Sequence, residues 1–529
     1  MRCSGPSGGK GGSPAARRAA PALVPAAVML CLGLWGLDRG AIWRDESATS
    51  AAARRTLPQL RHLLGTVDAV HGLYYLLMHP VLALHPGEVA LRLPSVLAAT
   101  ATAGLLGALG HRLTGRPRAG LWAGLLYAVT PMVSHYAQEG RSYALVACGA
   151  AAATRLLVEA LAHRTRGHWI RYTAVLCLTV LLHACALLLL AAHAVTLLAG
   201  RTPRTAWRGW LAAAATAALA LLPLALVSHG QAAQISWIPA PGPPVLRALL
   251  HDFAGPSGLV LTVNLLLIGA ALLGDRVPPP AAREAPPPAP ARRGAHPGAG
   301  PSGPNAGPAP TAPSLVAVAL PLALVPPVLL YLLSLHAPLF LGRYLLFALA
   351  GVPLLAAAGA DRLARALPWR RTATLAGTAA IAGSLLWQLP LQERERAPAG
   401  RPDDLASAAR EIGRLARPGD AVLYAPSYQR RIALAYPRPL ARLRDLALRT
   451  PGPASGTLYG TETGPRRLAA RLAGERRIWV VAAPATPHGP KHAALRAQGF
   501  RPALSRCLPD GNLTLYVRDP TVRGPSRGA

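Results

Sequence analysis

The run YTAVLCLTVLLHACALLLLAAHAVTLLAG, Tyr172 to Gly200, decides the architecture of this chain. A helix needs about 20 apolar residues to cross a bilayer, so the run is long for one span and short for two. Its flanks settle the reading. HRTRGHWIR precedes it and RTPRTAWRG follows it, and basic loops stay on the cytoplasmic side. The run must therefore cross an even number of times, folding back at His183 into two short or tilted spans. Read as one helix, it would invert everything downstream and put the later basic loop DRLARALPWRR on the wrong side.

Working outward, further spans are expected near Ala22–Leu37, Ala90–Gly110, Gly120–Ser134, Ser142–Leu161, Trp210–Val227, Ser257–Gly274, Ser314–Leu335, Tyr344–Ala360 and Thr372–Leu389, roughly 11 crossings in all. Composition agrees: of 529 residues 52% are hydrophobic and 15% charged, with a mean hydropathy of +0.30. The expected class is an all-α polytopic membrane protein. The net charge of +33 comes almost wholly from arginine and fits cytoplasmic loops and anionic lipid; no nucleic-acid motif accompanies it. The six cysteines form neither a disulfide framework nor a CxxC site.

The domains follow from this threading. Residues 1–21 form a cytoplasmic basic tail and 22–390 the transmembrane domain. Its first outer loop covers 38–87, and a Pro/Gly/Ala-rich cytoplasmic linker covers 275–313. Residues 391–529 read as a small extracytoplasmic α/β domain, because amphipathic segments such as Asp403–Ala416 and Pro465–Ala473 alternate with short apolar runs such as AVLYA, RIWVVAA and LTLYV. It contains no phosphate-binding glycine motif. In the first outer loop, LPQLRHLL (Leu57–Leu64) and GLYYLLMHPVLAL (Gly72–Leu84) are too short to span and read as helices in the membrane interface.

That loop opens with GAIWRDESATSAAARR, Gly40 to Arg55, an acidic pair and three arginines against the bilayer, where charge is costly. On residues alone, Asp45 and Glu46 are either a solvated turn or paired carboxylates facing a groove. Taken in order, W-x-D-E, GLYYLLMHPVL, GEVALRLPSVLA (Gly87–Ala98), SHYAQEGRSYAL (Ser134–Leu145) and GRYLLFALAGVPLLA (Gly342–Ala356) resemble the family 39 glycosyltransferases of the GT-C superfamily. The likeness is in particular to actinobacterial mannosyltransferase-like members that depend on a polyprenyl-phosphate sugar. The resemblance covers most of Leu34–Ala360. It implies a GT-C-like fold, a plasma-membrane enzyme of a bacterium, a polyprenyl-phosphate sugar donor and a protein, lipoglycan or wall-polymer acceptor. It also implies that Asp45 is the catalytic base with Glu46 as its companion, and that His71 stands where relatives carry a phosphate-binding lysine.

The chemistry asks for the same residue types. Moving a sugar from a lipid phosphate to a hydroxyl needs a base for the acceptor and cations for the departing phosphate. Arg44, Arg141 and Arg343 map to outer membrane edges and suit phosphate. Tyr136, Glu139, Tyr143 and Tyr344 fall where spans meet that face, with Glu88 at the start of the second span and His183 at the hairpin tip; all six are candidates to line the sugar or acceptor site. Blander readings stand beside these: Glu139–Arg141 and Glu88–Arg92 as structural ion pairs, His183 as a polar cap on a turn. No cofactor is required, and no His/Asp/Glu spacing supports a divalent cation. A transporter or lipid flippase, or a non-catalytic membrane scaffold, is the alternative; near-absence of acids from the spans argues against transport.

Overall fold

The computed structural model describes residues 14–274, 313–397, 400–401, 403–484, 489–508 and 511–519. Most of the basic tail and nearly all of the expected linker, 275–312, lie outside them. The chain opens with α1 (Pro14–Leu34) and enters the expected outer loop through α2 (Arg44–Ala53), α3 (Leu57–Leu64) and α4 (Gly72–Leu84). Asp45 and Glu46 occupy the first turn of α2, where the helix dipole favours negative charge. A capping box between Thr56 and Gln59 starts α3.

The bundle continues with α5 (Glu88–Thr114), α6 (Pro117–Val129), the short α7 (Pro131–Ala137) and α8 (Tyr143–His163). Gly107 lies against the Pro21 backbone and Gly120 against Gly107 and His111, so closely that a methyl group at either glycine would collide. These contacts bring α1, α5 and α6 together, as small residues do between helices in lipid. The decisive run follows as α9 (Arg166–Leu182) and α10 (Leu188–Ala199). Between them His183 is extended (φ −162°, ψ 119°) and its side chain accepts from the Cys185 N–H at 3.3 Å. The helix therefore ends at the residue expected to reverse it, and the two halves share a buried contact between the Tyr172 hydroxyl and His193 Nδ1 (2.9 Å).

Then come α11 (Arg204–His229), α12 (Pro243–Ala254), α13 (Gly258–Leu272), α14 (Leu315–Ser334), α15 (Gly351–Ala366) and α16 (Arg370–Arg396). The expected span at 344–360 is entered through irregular turns at Gly342–Leu345 and Ala348–Ala350, and becomes regular helix only from Gly351. Five helices among the described residues are long and apolar enough to cross a membrane, and six if α12 and α13, bent by 77°, form one broken span. Shorter apolar helices, such as Ala19–Leu34 and Ala184–Ala199, add to them. Leu219, Leu226, Leu266 and Leu386 each lie about two-thirds exposed, surface that lipid rather than water must cover. The protein is a multi-pass membrane protein.

α16 runs to Arg396, whose guanidinium donates to the Leu32 and Trp35 carbonyls and the Ser134 hydroxyl. The C-terminal module begins with α17 (Leu405–Leu415) and β1 (Ala421–Ala425), followed by α18 (Arg431–Ala435), α19 (Pro437–Leu440) and β2 (Arg444–Asp445). A small antiparallel pair, β3 (Leu448–Thr450) and β4 (Thr461–Glu462), flanks α20 (Gly452–Ser455). α21 (Pro465–Ala473), β5 (Arg477–Ala482), α22 (Pro490–Ala497), β6 (Phe500–Leu508) and β7 (Gly511–Arg518) complete it. The five-stranded sheet has the order β2-β1-β5-β7-β6, parallel around β1 and antiparallel beyond β5. Alternation along β1 sends Val422 and Tyr424 towards Leu405 and Ile412, and Ala421 and Leu423 towards Leu468 and Leu472.

Candidate active site

The site forms where the outer loop meets the module, and α2 is its pivot. Three consecutive residues leave this helix in three directions, because neighbours on a helix are about 100° apart. Arg44 turns to the module: Nε and Nη2 donate to the two carboxylate oxygens of Asp403 at 2.7 and 2.6 Å, and its main-chain N–H to the same group at 3.0 Å. Glu46 turns into the bundle. Fully buried, it accepts from Arg92 Nε and Nη2 (both 2.9 Å) and from the Gly140 N–H (2.8 Å). Burial alone would raise its pKa, but Arg92 and Gly140 outweigh that and hold it below the usual range. Arg92 spends its remaining donors on the Leu37 and Ala41 carbonyls.

Asp45 turns to the open side, 22% exposed, with Arg343 Nη2 3.6 Å from its carboxylate. Arg141 approaches from the opposite direction, Nη1 3.5 Å from the Asp45 carbonyl and 3.4 Å from the Thr49 hydroxyl, Nη2 2.7 Å from His71 Nε2. Nε of Arg141 and Nε of Arg343 have no hydrogen-bond partner among the described residues. Around Arg343 stand the rings of Trp43, Tyr143 and Tyr344, at 5.7, 6.0 and 5.8 Å. The rings of Tyr136, Tyr143, His183 and Tyr344 continue this wall, with centroids 4.6 to 6.1 Å apart.

The expected residues therefore divide. Asp45, His71, Arg141, Tyr143, His183, Arg343 and Tyr344 converge, and Tyr136 joins them. Arg44 does not, because Asp403 holds both sides of its guanidinium. Glu46 is held by Arg92 and faces away from the opening, which makes it an anchor of α2. Glu88 accepts from the Tyr436 hydroxyl of the module at 2.6 Å and lies 3.8 Å from Arg92, so it too serves the seam. Glu139 and Arg141 do not pair. Glu139 faces His135, one turn earlier, at 3.8 Å, and burial pushes its pKa up to about 7, with His135 and Arg401 opposing.

His71 is held neutral by burial and then by Arg141; its Nε2 accepts from Arg141, which leaves the proton on Nδ1. Asp68 is a residue that sequence reasoning did not single out. It sits in the left-handed region (φ 58°), a conformation Asp tolerates better than most residues, and accepts from the Tyr75 hydroxyl at 2.9 Å. Burial, with Asp45 adding to it, raises its pKa against the pull of Arg141 and Tyr75. Its only signal in the sequence is an acid in the same outer loop. No group of three or more His, Cys, Asp or Glu side chains among the described residues is arranged to hold a metal ion.

No protein-family profile and no curated protein matches the chain. Solved structures do. The crystal structure of ArnT from Cupriavidus metallidurans bound to undecaprenyl phosphate is 15% identical, covers 95% of this chain and 99% of its own, and superposes with a TM-score of 0.58. The apo state of the same protein gives 14% identity, 95% and 98% coverage and a TM-score of 0.57. At this identity the likeness is one of fold, and it agrees with the mostly helical, multi-pass architecture expected from the sequence.

Proposed function

We propose that the protein is a membrane glycosyltransferase that moves a hexose from a polyprenyl-phosphate donor to a hydroxyl on the extracytoplasmic side of a bacterial plasma membrane. The N-terminus then lies in the cytoplasm and the C-terminal module outside. The observation that carries this reading is Asp45: a part-exposed carboxylate between two arginines whose Nε–H groups remain unspent. A base next to unsatisfied guanidinium donors suits a reaction that takes a proton and releases a phosphate. The fold shared with a protein crystallised with undecaprenyl phosphate supports a polyprenyl-phosphate donor.

In this reading the acceptor hydroxyl gives its proton to Asp45 and attacks the anomeric carbon. The bond from that carbon to the phosphate oxygen breaks in line, and Arg141 and Arg343 take up the charge on the leaving phosphate. One displacement inverts the anomeric centre. His71, neutral and bonded to Arg141, orients that guanidinium. The aromatic wall from Tyr136 to Tyr344 offers flat apolar faces to a sugar ring. Mannose is the sugar that the family resemblance favours, and a protein, a lipoglycan or a wall polymer is the acceptor.

The test is transfer by purified protein in lipid from synthetic polyprenyl-phosphate mannose, glucose and arabinose, with the product's anomeric configuration read by NMR. Mannose transfer with inversion is expected. Retention of configuration would exclude the single displacement, and absence of transfer from every lipid phosphate would exclude the function.

A further inference from the structure

The module holds a cavity that the transfer described above does not use. It lies between α18–α19 and the loop joining β3 to β4, encloses about 240 Å³, and has Tyr424, Arg430, Leu434, Asp445, Leu458 and Tyr459 in its walls. Part of the wall is polar. Arg430 Nε and Nη2 donate to the Asp445 carboxylate at 2.6 and 3.2 Å, and the Tyr424 ring stands 5.7 Å from that guanidinium. Tyr424 is 3% exposed, and no hydrogen bond among the described residues holds its hydroxyl, an orphan that costs stability until a partner arrives. The rest of the lining is largely leucine and proline. Both walls are fastened to the outer loop that carries Asp45: Ser47 of α2 donates to the Arg431 carbonyl of α18, Arg55 Nη2 to the Thr457 carbonyl at 2.6 Å, and the Thr66 hydroxyl to the Gly456 carbonyl. Tyr459 follows in the same loop. It lines the cavity, and it is near enough to Asp45 and Asp68 for both charges to act on its hydroxyl.

We propose that this cavity is an acceptor subsite, a role that rests on the transferase reading above. It receives the sugar next to the one whose hydroxyl attacks. The acceptor is then a glycan, as in a lipoglycan or a wall polymer, and not a lone serine or threonine of a protein. The volume lies below the roughly 300–1,000 Å³ of sites for drug-sized ligands, and so suits a single ring. A hexose has an apolar C–H face and a rim of hydroxyls. The lining offers a counterpart to each: leucines for the face, the Tyr424 hydroxyl and the Asp445 carboxylate for the rim. An acyl chain would leave the Tyr424 hydroxyl without a partner, and a phosphate would meet Asp445 and Glu462, which already flank Arg430. Because Tyr459 belongs both to the cavity and to the surroundings of Asp45, neighbouring rings of one chain can fill cavity and reaction site together, with the Tyr459 ring between them. These residues hold the acceptor and take no part in the bond exchange.

The test uses purified full-length protein in lipid, with polyprenyl-phosphate mannose, glucose and arabinose as donors. The acceptors are the methyl glycosides of the same three sugars, the corresponding disaccharides, and a peptide containing serine and threonine. A disaccharide should exceed its monosaccharide about tenfold or more in kcat/KM, through KM. Tyr424→Phe removes one hydroxyl from the cavity and should shrink this advantage about three- to tenfold. Ala433→Phe fills the cavity from α18 and should abolish it. The ratio between the two acceptors is the readout, so a general loss of folded protein does not imitate the effect. Equal use of mono- and disaccharide, preference for the peptide, or an undiminished advantage in either variant overturns the subsite. Binding without turnover separates the two readings. Saturation-transfer NMR with the disaccharides, in the absence of donor, should show contacts in the wild type that Ala433→Phe loses. Such binding without transfer from any donor refutes the transferase reading and keeps the subsite; transfer without such binding does the reverse, and absence of both refutes both.

Discussion

The two ends of the helix bundle each hold an aspartate among arginines, and they are built differently. At the end away from the module, Asp361 receives Arg118 Nε at 2.5 Å, Arg116 Nη1 at 3.0 Å and Arg365 Nε at 3.4 Å, with its side chain 2% exposed. At the module end, Asp45 has one such contact, at 3.6 Å, and is 22% exposed. The first cluster ties α15 to the start of α6 and leaves its carboxylate saturated. The second is incomplete as protein–protein chemistry: its carboxylate has free faces and its arginines have free donors. Short distances around a buried charge indicate packing, and a loose pair with unspent donors indicates room for a ligand.

This contrast can be broken by substitution. The largest effect is expected from Asp45→Asn, which keeps size and removes the proposed base: transfer should fall about 10²- to 10⁴-fold, with thermal stability and donor affinity near wild type, measured by initial rates and by melting in detergent. Near-normal transfer would remove Asp45 as the base and move attention to Asp68. Next comes its neighbour. Glu46→Gln leaves buried Arg92 with only the more distant Glu88, at 3.8 Å, as counter-charge and should cost about 3–5 kcal/mol of stability, visible as a lowered melting temperature, with activity lost only in proportion to unfolded protein.

Asp361→Asn should cost less, about 1.5–3 kcal/mol, the value of hydrogen bonds to a charged group, since its partly exposed arginines can turn to water. Turnover per folded molecule should not change; a large kcat effect would show that the two clusters are not the opposites described above. The smallest effect is expected from Arg44→Ala. Its guanidinium is about half exposed, but Asp403 is fully buried and would keep only the residue-44 main-chain N–H of the three bonds it accepts from that residue, so about 1–2 kcal/mol is at stake, read as faster hydrogen exchange in α17 rather than as loss of the fold.

Much of this was legible in the sequence, and the limit has a physical cause. Hydropathy and basic loops carried the bundle and the break at His183, because crossing a bilayer constrains every residue of a span. Short apolar runs carried β1, β5 and β7: β1 and β5 are buried along almost their whole length, while β7 alternates between buried and more exposed positions along its first half. Arg155 and Glu159, spaced i,i+4 on α8, pair at 3.1 Å, as their spacing on a helix allows. What failed was the division of labour within Arg44-Asp45-Glu46. Their roles depend on Asp403, Arg343 and Arg92, residues far away in the chain, and no local rule says which of three adjacent side chains meets which. Asp68 was missed for the same reason: its importance comes from Tyr75 and Arg141 beside it, not from its own surroundings in the chain.

Helix α2 has one more consequence. Arg44 binds Asp403 and the Ser47 hydroxyl donates to the Arg431 carbonyl at 3.1 Å, while Glu46 between them is fastened to Arg92. This short segment thus belongs by contact to the C-terminal module as much as to the bundle it is threaded through. For anyone building chimeras, the natural junction is not the end of α16. A foreign module grafted there would meet a helix cut to fit a different partner, and the Asp45 carboxylate would inherit the mismatch. Exchange of the module should succeed when residues 40–55 travel with it and the socket around Arg92 is kept.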